Sequence, residues 1–199
     1  MIHYPGGVKA PSYKEREKKA NRSIKRRSLT AANRGMDFES DINAANSYYL
    51  EHHLALVYKR PTPINVVKVD YTHGAKITHA YFERQSTTDY NGVYDGHYLD
   101  FEAKSTKSKT SLPLNNIAPQ QVRHLQAVKE NGGIAFFLIH WETLDETYAI
   151  DAGFICDFYE EKPRKSIPYK TIKEHGHLVK EGYYPRYDYL PIVKEFFLK

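Results

Sequence analysis

The sequence predicts a single α/β domain built around a mixed β-sheet. Two stretches have helical periodicity, residues 33–53 and 118–133, and runs of β-branched and aromatic residues lie between and after them. The order helix, strands, helix, strand is typical of α/β proteins. At 199 residues the chain is long enough for one sizeable core and not obviously for two.

The first helix is predicted from "NRGMDFESDINAANSYYLEHH". Phe38, Ile42, Ala45 and Tyr49 follow one another by four, three and four residues, which places them in one apolar stripe. The next segment, "LALVYKR", has the pattern of a buried strand.

Residues 62–84 are predicted to form a β-hairpin. "INVVKVDY" and "KITHAYFE" are rich in β-branched and aromatic residues, and "THGA" between them is a turn signal. Two interpretations are close to even: a hairpin that projects from the body, or an ordinary pair of strands within the sheet.

A second hairpin is predicted from "TTDYNGVYDGHYLDFEAK", residues 87–104. Both Asn91-Gly92 and Asp95-Gly96 are turn signals. If the chain reverses at Asp95-Gly96, Asp89 approaches Glu102 across neighbouring strands.

The remaining elements follow in order. "APQQVRHLQAVKENGG" predicts a helix, with Val122, Leu125 and Val128 recurring every three residues. "IAFFLIHW" predicts a buried strand and "TYAIDA" another strand, and the tail "PRYDYLPIVKEFFLK" is predicted to close with a helix.

Positive charge is concentrated near the N-terminus. The chain carries a net charge of +5, yet residues 1–34 hold ten Lys and Arg against two Glu. We therefore expect residues 1–32 to form a flexible basic arm and residues 33–199 to form the domain. Such an arm favours an anionic partner, most simply nucleic acid. The alternative is a solvated leader that binds nothing specific.

The cellular location of the protein is predicted from features that are absent from the sequence. A single cysteine, Cys156, excludes a disulfide within the chain. Neither a membrane-length apolar stretch nor an apolar signal core is present. A cytoplasmic protein without membrane contact is the expectation.

The second hairpin has the residue types of a metal-dependent phosphodiesterase. Glu102 and Lys104 share one face of their strand, because side chains alternate along it. Two carboxylates that converge there offer the hard oxygen ligands that Mg²⁺ prefers. The alternative is a solvated strand edge, whose charges prevent edge-to-edge association.

Several segments together resemble the RecU-type Holliday junction resolvases, within the restriction-endonuclease-like nucleases. They are "NRGMDFESDIN", "KRPTPI", "STTDYNGVYDGHYLDFEAK", "KTSLPL", "RKSI" and "GYYPRYDYL". The resemblance covers most of the chain from Asn33 onward, and residues 86–104 are its most specific part. It implies a restriction-endonuclease-like mixed sheet flanked by helices, with a projecting β-hairpin stalk.

The resemblance also implies a set of site residues. The metal ligands are Thr87, Asp89, Glu102 and Gln121, although the neighbouring Gln120 leaves the register of the last one open. Asp89 and Glu102 are also assigned as catalytic. Two further catalytic residues are Lys104, which stabilises the transition state, and Glu39, an acidic position of the first helix.

The implied activity is cleavage of four-way DNA junctions in recombination and repair. The resemblance implies a homodimeric, Mg²⁺-dependent endonuclease, in which Mn²⁺ can substitute. A recombinase and a branch-migration motor are further partners it suggests. The alternative is a non-catalytic DNA-binding adaptor, or recombinase modulator, on the same fold.

Overall fold

The structure, a computed structural model, describes residues 34–82, 87–161 and 164–198. The predicted arm therefore lies outside the described residues, as do positions 83–86 of the first hairpin region. Among the described residues, no helix is long and apolar enough to cross a membrane. The helices are α1 (Arg34–Glu51), α2 (Pro119–Glu130), α3 (Ala152–Glu160), α4 (Tyr169–His175) and the short α5 (Leu190–Ile192), which continues as a π-helical turn (Val193–Phe197).

A six-stranded mixed sheet forms the centre of the domain. Its strands in spatial order are β1 (Leu56–Lys59), β4 (Tyr90–Tyr94), β5 (His97–Thr106), β7 (Ile134–Trp141), β8 (Glu146–Asp151) and β10 (His177–Val179). Neighbouring strands are antiparallel except β5 and β7, which run parallel. The helix α2 makes the crossover between these two. Two short strands, β6 (Ser111–Pro113) and β9 (Ser166–Pro168), pair separately. The predicted α/β class, with a mixed sheet between helices, is confirmed.

Each face of the sheet packs against its own helices. The stripe predicted for α1 is buried in full, and it packs with Phe101 and Phe136 on one face. On the other face, α2 and α3 pack against β7 and β8. All eight residues of β7 are buried, as predicted. The site described below lies on the face covered by α2.

The first hairpin stands apart from this sheet. Its strands, β2 (Ile64–Asp70) and β3 (Lys76–Phe82), pair only with each other among the described residues. Every residue of β3 is exposed, and β2 is exposed at five of its seven positions. The projecting hairpin is the interpretation this supports, and the alternative of two core strands is wrong.

The second hairpin reverses at Asp95-Gly96, where both residues have positive φ. Tyr94 pairs with His97 across that turn. The other turn signal, Asn91-Gly92, is wrong, because both residues lie within β4. Gly92 meets a different requirement: a Cβ there would lie 2.0 Å from the backbone oxygen of Leu56. The glycine allows β1 to approach β4 closely.

One other sequence expectation is wrong. β1 is an edge strand with only Val57 buried, because α1 covers one face and leaves Leu56 and Tyr58 exposed. The predicted closing helix is confirmed at residues 190–197, and in the segment before it Tyr187 and Tyr189 are buried against the α1 side of the sheet. The helix α3 was not foreseen: it is a short and largely apolar segment, although its buried residues Ala152, Ile155 and Cys156 recur at helical spacing.

Candidate active site

The hairpin β4–β5 brings Asp89 and Glu102 together. Tyr90 pairs with Phe101, so Asp89, immediately before β4, lies opposite Glu102. The backbone N–H of Asp89 donates to Glu102 Oε2 at 3.1 Å. In return, the backbone N–H of Ala103 donates to Asp89 Oδ2 at 3.3 Å. The approach predicted from the turn position is thus confirmed in atomic contacts.

Lys104 completes this group from the same strand. Its Nζ lies 2.5 Å from Glu102 Oε1, as the alternation of side chains along β5 predicts. The Glu102 side chain is fully buried, whereas that of Lys104 is 20% exposed. The lysine therefore reaches from the buried carboxylate toward the surface.

The environment of Glu102 disfavours its negative charge. Burial raises the pKa of this carboxyl group to about 8, with Lys104 opposing the shift and Asp89 adding to it. A buried carboxylate beside a second acid is costly unless further positive charge faces it. Such arrangements occur often at functional sites.

Gln121, in the first turn of α2, also contacts Glu102. Its Nε2 donates to Glu102 Oε1 at 2.7 Å, and its Oε1 accepts from the backbone N–H of Ala118 at 3.0 Å. The contact with Glu102 supports Gln121 over Gln120 as the residue that belongs to the site. The amide oxygen itself is occupied as a helix cap, so the ligand role of Gln121 stays a prediction.

Thr87 lies two residues before Asp89 and is half-buried. Its Oγ1 accepts a hydrogen bond from Arg60 Nη1 at 3.0 Å. Arg60 is a residue of this region that the sequence motifs did not predict. The signal that could have found it is the segment "KRPTPI", which has no other assigned role and follows the strand beside β4.

Glu39 lies at the edge of this group. Its carboxylate pairs with Lys59 at the end of β1, and its side chain is 49% exposed. The link to the other site residues is Tyr90, whose hydroxyl donates to the backbone oxygen of Glu39 at 3.4 Å. Burial and then the charges of Glu39, Asp89 and Glu102 raise the pKa of Tyr90. All four residues therefore share one electrostatic environment.

The residues present fit a hard divalent cation. Two converging carboxylates, a hydroxyl and an amide oxygen are the donor types that Mg²⁺ takes in proteins. Within the described part of the chain there is no group of three or more His, Cys, Asp or Glu arranged to hold a metal. That result is compatible with this site, because Thr87 and Gln121 would supply half of its protein ligands.

Comparison with known proteins identifies the family. The family described as "RecU: Recombination protein U" matches residues 33–195. The chain belongs to the Recombination protein U family.

Relatives match this Recombination protein U chain over nearly its full length. It is 46% identical over 200 residues to "Holliday junction resolvase RecU" of Geobacillus sp. (strain WCH70), covering 98% of this chain and 97% of the relative. The same identity holds over 198 residues for the protein of that name from Streptococcus thermophilus (strain ATCC BAA-491 / LMD-9), with the same coverage. All the site residues discussed above lie within the range that the family matches.

One solved structure shows a weaker likeness. It is Hjc from Archaeoglobus fulgidus, a Holliday junction resolvase, with a TM-score of 0.43 and 14% sequence identity. The match covers 73% of this chain and 97% of that chain.

Proposed function

We propose that this protein is a structure-selective endonuclease that resolves four-way DNA junctions in recombination and repair. The observation that carries the proposal is the group formed by Asp89, Glu102 and Lys104, two facing carboxylates with a lysine bonded to one of them. Membership of the Recombination protein U family supports it, since relatives in that family are named Holliday junction resolvases.

The reaction we propose is metal-dependent hydrolysis of a phosphodiester bond. Asp89, Glu102, Thr87 and Gln121 would hold Mg²⁺, or Mn²⁺ in its place. When bound, the cation acidifies a water molecule and neutralises the charge that develops on the phosphate. For Gln121 to contribute its amide oxygen, the side chain would have to release the N–H of Ala118.

The protein side chains have separate tasks in this scheme. The backbone N–H groups of Asp89 and Ala103 fix the two carboxylates relative to each other, which limits their reorganisation. Lys104 Nζ is a positive hydrogen-bond donor beside Glu102, suited to the negative charge of the transition state. Glu39 with Lys59 forms the exposed rim, where it would orient a water molecule or the phosphate.

Junction selectivity would come from the assembly and the first hairpin. A four-way junction has approximate two-fold symmetry, and a two-fold dimer would supply two matched sites for two strands of like polarity. The exposed hairpin β2–β3 is free of the core sheet and could enter the open centre of the junction. The basic arm would add phosphate contacts, which makes binding salt-dependent. A recombinase and a branch-migration motor are the protein partners that such a role suggests.

A cleavage assay tests the proposal directly. The substrate is a synthetic four-way junction, with linear duplex of the same sequence as the control substrate, in Mg²⁺ or Mn²⁺. We expect paired nicks in two strands of the junction and little cleavage of the duplex. Glu102→Gln serves as the control protein, because it keeps the size of the side chain and removes its charge.

The outcomes separate the two candidate functions. Junction cleavage that needs the metal and is absent in Glu102→Gln supports the nuclease. Tight junction binding without cleavage in either ion would instead support the non-catalytic adaptor. A monomeric mass at the concentration that cleaves would contradict the dimeric part of the proposal.

A further inference from the structure

A second group of polar side chains lies beside the candidate site, centred on Asp100. This carboxylate is fully buried in β5, on the same face as Glu102. Its Oδ2 accepts from Tyr98 Oη at 2.8 Å, lies 2.9 Å from His124 Nε2, and forms an ion pair with Arg60 Nη2. Its Oδ1 accepts from the hydroxyl of Thr88.

This group holds each residue of the segment Thr87–Asp89. Arg60 Nη1 donates to the hydroxyl of Thr87 at 3.0 Å. Asp100 accepts from the hydroxyl of Thr88. The backbone N–H of Arg60 donates to the backbone oxygen of Asp89 at 2.8 Å. Three consecutive residues are therefore anchored by one arginine and one aspartate.

The segment depends on these anchors because it has little regular structure of its own. Residues 87–89 precede β4 and lie outside its ladder of hydrogen bonds. Yet the segment carries Thr87 and Asp89, two of the four predicted ligands. Ligands must be held within about 0.5 Å of the productive geometry for a site to work well. The side chains of Arg60 and Asp100, together with backbone N–H groups that donate to Asp89, supply the anchors here.

Charge and burial indicate that the arrangement is built for rigidity. A buried carboxylate is stable only when it is paired and hydrogen-bonded, and Asp100 satisfies this with four partners. Arginine suits the central position, because its planar fork bonds two partners at once in fixed directions. Arg60 uses one prong for Asp100 and the other for Thr87.

We propose that Arg60 and Asp100 are positioning residues, which fix the Thr87–Asp89 segment in the geometry that binds a divalent cation. The inference rests on the proposed function, since the cation belongs to that reaction. Neither residue touches the cation or the substrate in this scheme. The effect of these side chains is transmitted through the hydroxyls of Thr87 and Thr88, while the backbone N–H of Arg60 holds the adjacent Asp89.

The test measures binding of Mn²⁺ to the DNA-free protein by titration calorimetry, alongside thermal melting. Arg60→Lys keeps the positive charge beside Asp100 but loses the fork. Thr88→Val removes one hydroxyl and preserves shape. Asp100→Asn removes the central charge. Residues that orient metal ligands typically change affinity by about 10–100-fold, and we expect Arg60→Lys and Asp100→Asn to weaken Mn²⁺ binding by this amount. Thr88→Val should have a smaller effect in the same direction.

Arg186→Lys is the matched control. Arg186 also bonds several carboxylates, those of Asp41, Asp145 and Glu181, and none of these belongs to the candidate site. We expect this variant to bind Mn²⁺ as the wild-type protein does. A merely structural role of Arg60 would lower the melting temperature and leave the Mn²⁺ affinity of the folded protein unchanged.

The outcomes distinguish this inference from the proposed function. Wild-type affinity for Mn²⁺ in both Arg60→Lys and Thr88→Val would overturn the positioning role, even if Asp100→Asn fails to fold. A wild-type protein that binds Mn²⁺ but cuts no junction would overturn the nuclease and leave the positioning role standing. A wild-type protein that binds no Mn²⁺ would overturn both.

Discussion

The two hairpins of this protein are built from similar sequences and have opposite environments. Both consist of two antiparallel strands rich in aromatic and β-branched residues, joined by a turn that contains a glycine with positive φ. In β2–β3, Phe82 is 78% exposed and no residue of β3 is buried. In β4–β5, Phe101 is fully buried between Tyr90 and Phe136, with ring centroids 4.8 and 4.7 Å away.

The difference shows how a carboxylate site is held in place. The second hairpin is clamped between β1 and β7, with α1 on one face and α2 on the other. Neighbouring elements therefore contact this hairpin at both edges and on both faces, and the Glu102 side chain is buried. Among the residues that the structure describes, the first hairpin has no such neighbours in a sheet, and its strands expose a surface that a large partner could contact. In the function we propose, the buried hairpin carries the chemistry and the exposed hairpin recognises the shape of the junction.

The largest effect should follow from removing the charge of Glu102. A metal supplies several kcal/mol of transition-state stabilisation, and each 1.4 kcal/mol changes a rate tenfold. We expect Glu102→Gln to reduce junction cleavage by about 10³-fold or more, measured under single-turnover conditions. Asp89→Asn should do the same.

Junction binding and folding provide the controls for these two variants. Basic surfaces carry most of the affinity for DNA, so binding should remain nearly unchanged. The melting temperature of Glu102→Gln checks that the variant is folded at the assay temperature, since the substitution places an amide donor among three groups that donate to this side chain. Cleavage at a near wild-type rate by either variant would remove that residue from the catalytic site.

The next prediction compares the loss of one aromatic side chain from each hairpin. Phe101→Ala should lower the free energy of unfolding by about 3–5 kcal/mol, because it opens a cavity between two stacked rings. Phe82→Ala should change it by about 0.5 kcal/mol or less, since the side chain is largely exposed. Chemical denaturation measures both. Equal losses in the two variants would mean that the first hairpin packs against something in solution.

The sequence predicts which residues meet within the second hairpin better than it predicts which elements pack around that hairpin. Asp89, Glu102 and Lys104 follow from alternation along a strand and one turn position, both of which are local rules. Local rules do not include the pairing of β5 with β7, which is separated from it by α2. For the same reason the sequence did not reveal the contact of Asp100 with Arg60, which lies 40 positions earlier.

For the first hairpin, the sequence predicts the strands but not whether they are buried. Its strand pattern was clear, but exposed and buried strands of this composition look alike in a sequence that is rich in tyrosine and valine. Only tertiary structure shows that none of the described helices covers it. The turn predicted at Asn91-Gly92 is wrong for a related reason. The glycine is needed for the close approach of β1 and not for a turn.

A smaller effect is expected from Lys104. Replacing it with methionine keeps the length of the side chain and removes its positive donor. One lost donor to the developing charge costs about 10²–10³-fold in rate, and we expect the lower end, because Lys104 is partly exposed. The Mn²⁺ affinity should stay within about threefold of wild type, since the lysine is not a ligand. A large loss of Mn²⁺ binding would show that Lys104 holds the metal site together instead.

The smallest effect on the stability of the domain is expected from deletion of the first hairpin. Replacing Val66–Ala80 by a short Gly-containing turn removes most of β2–β3 but none of the strands of the six-stranded sheet. Since those strands pair only with each other among the described residues, the cooperative melting transition should survive with little change in midpoint. The site should remain assembled, because Thr87, Asp89, Glu102 and Gln121 all lie outside the deletion. The Mn²⁺ affinity should therefore equal that of the full chain.

The same deletion should abolish the preference for four-way junctions over linear duplex, measured as the ratio of their cleavage rates. A loss of the cooperative transition would show that this hairpin stabilises the body after all. A preserved junction preference would assign shape recognition to another surface.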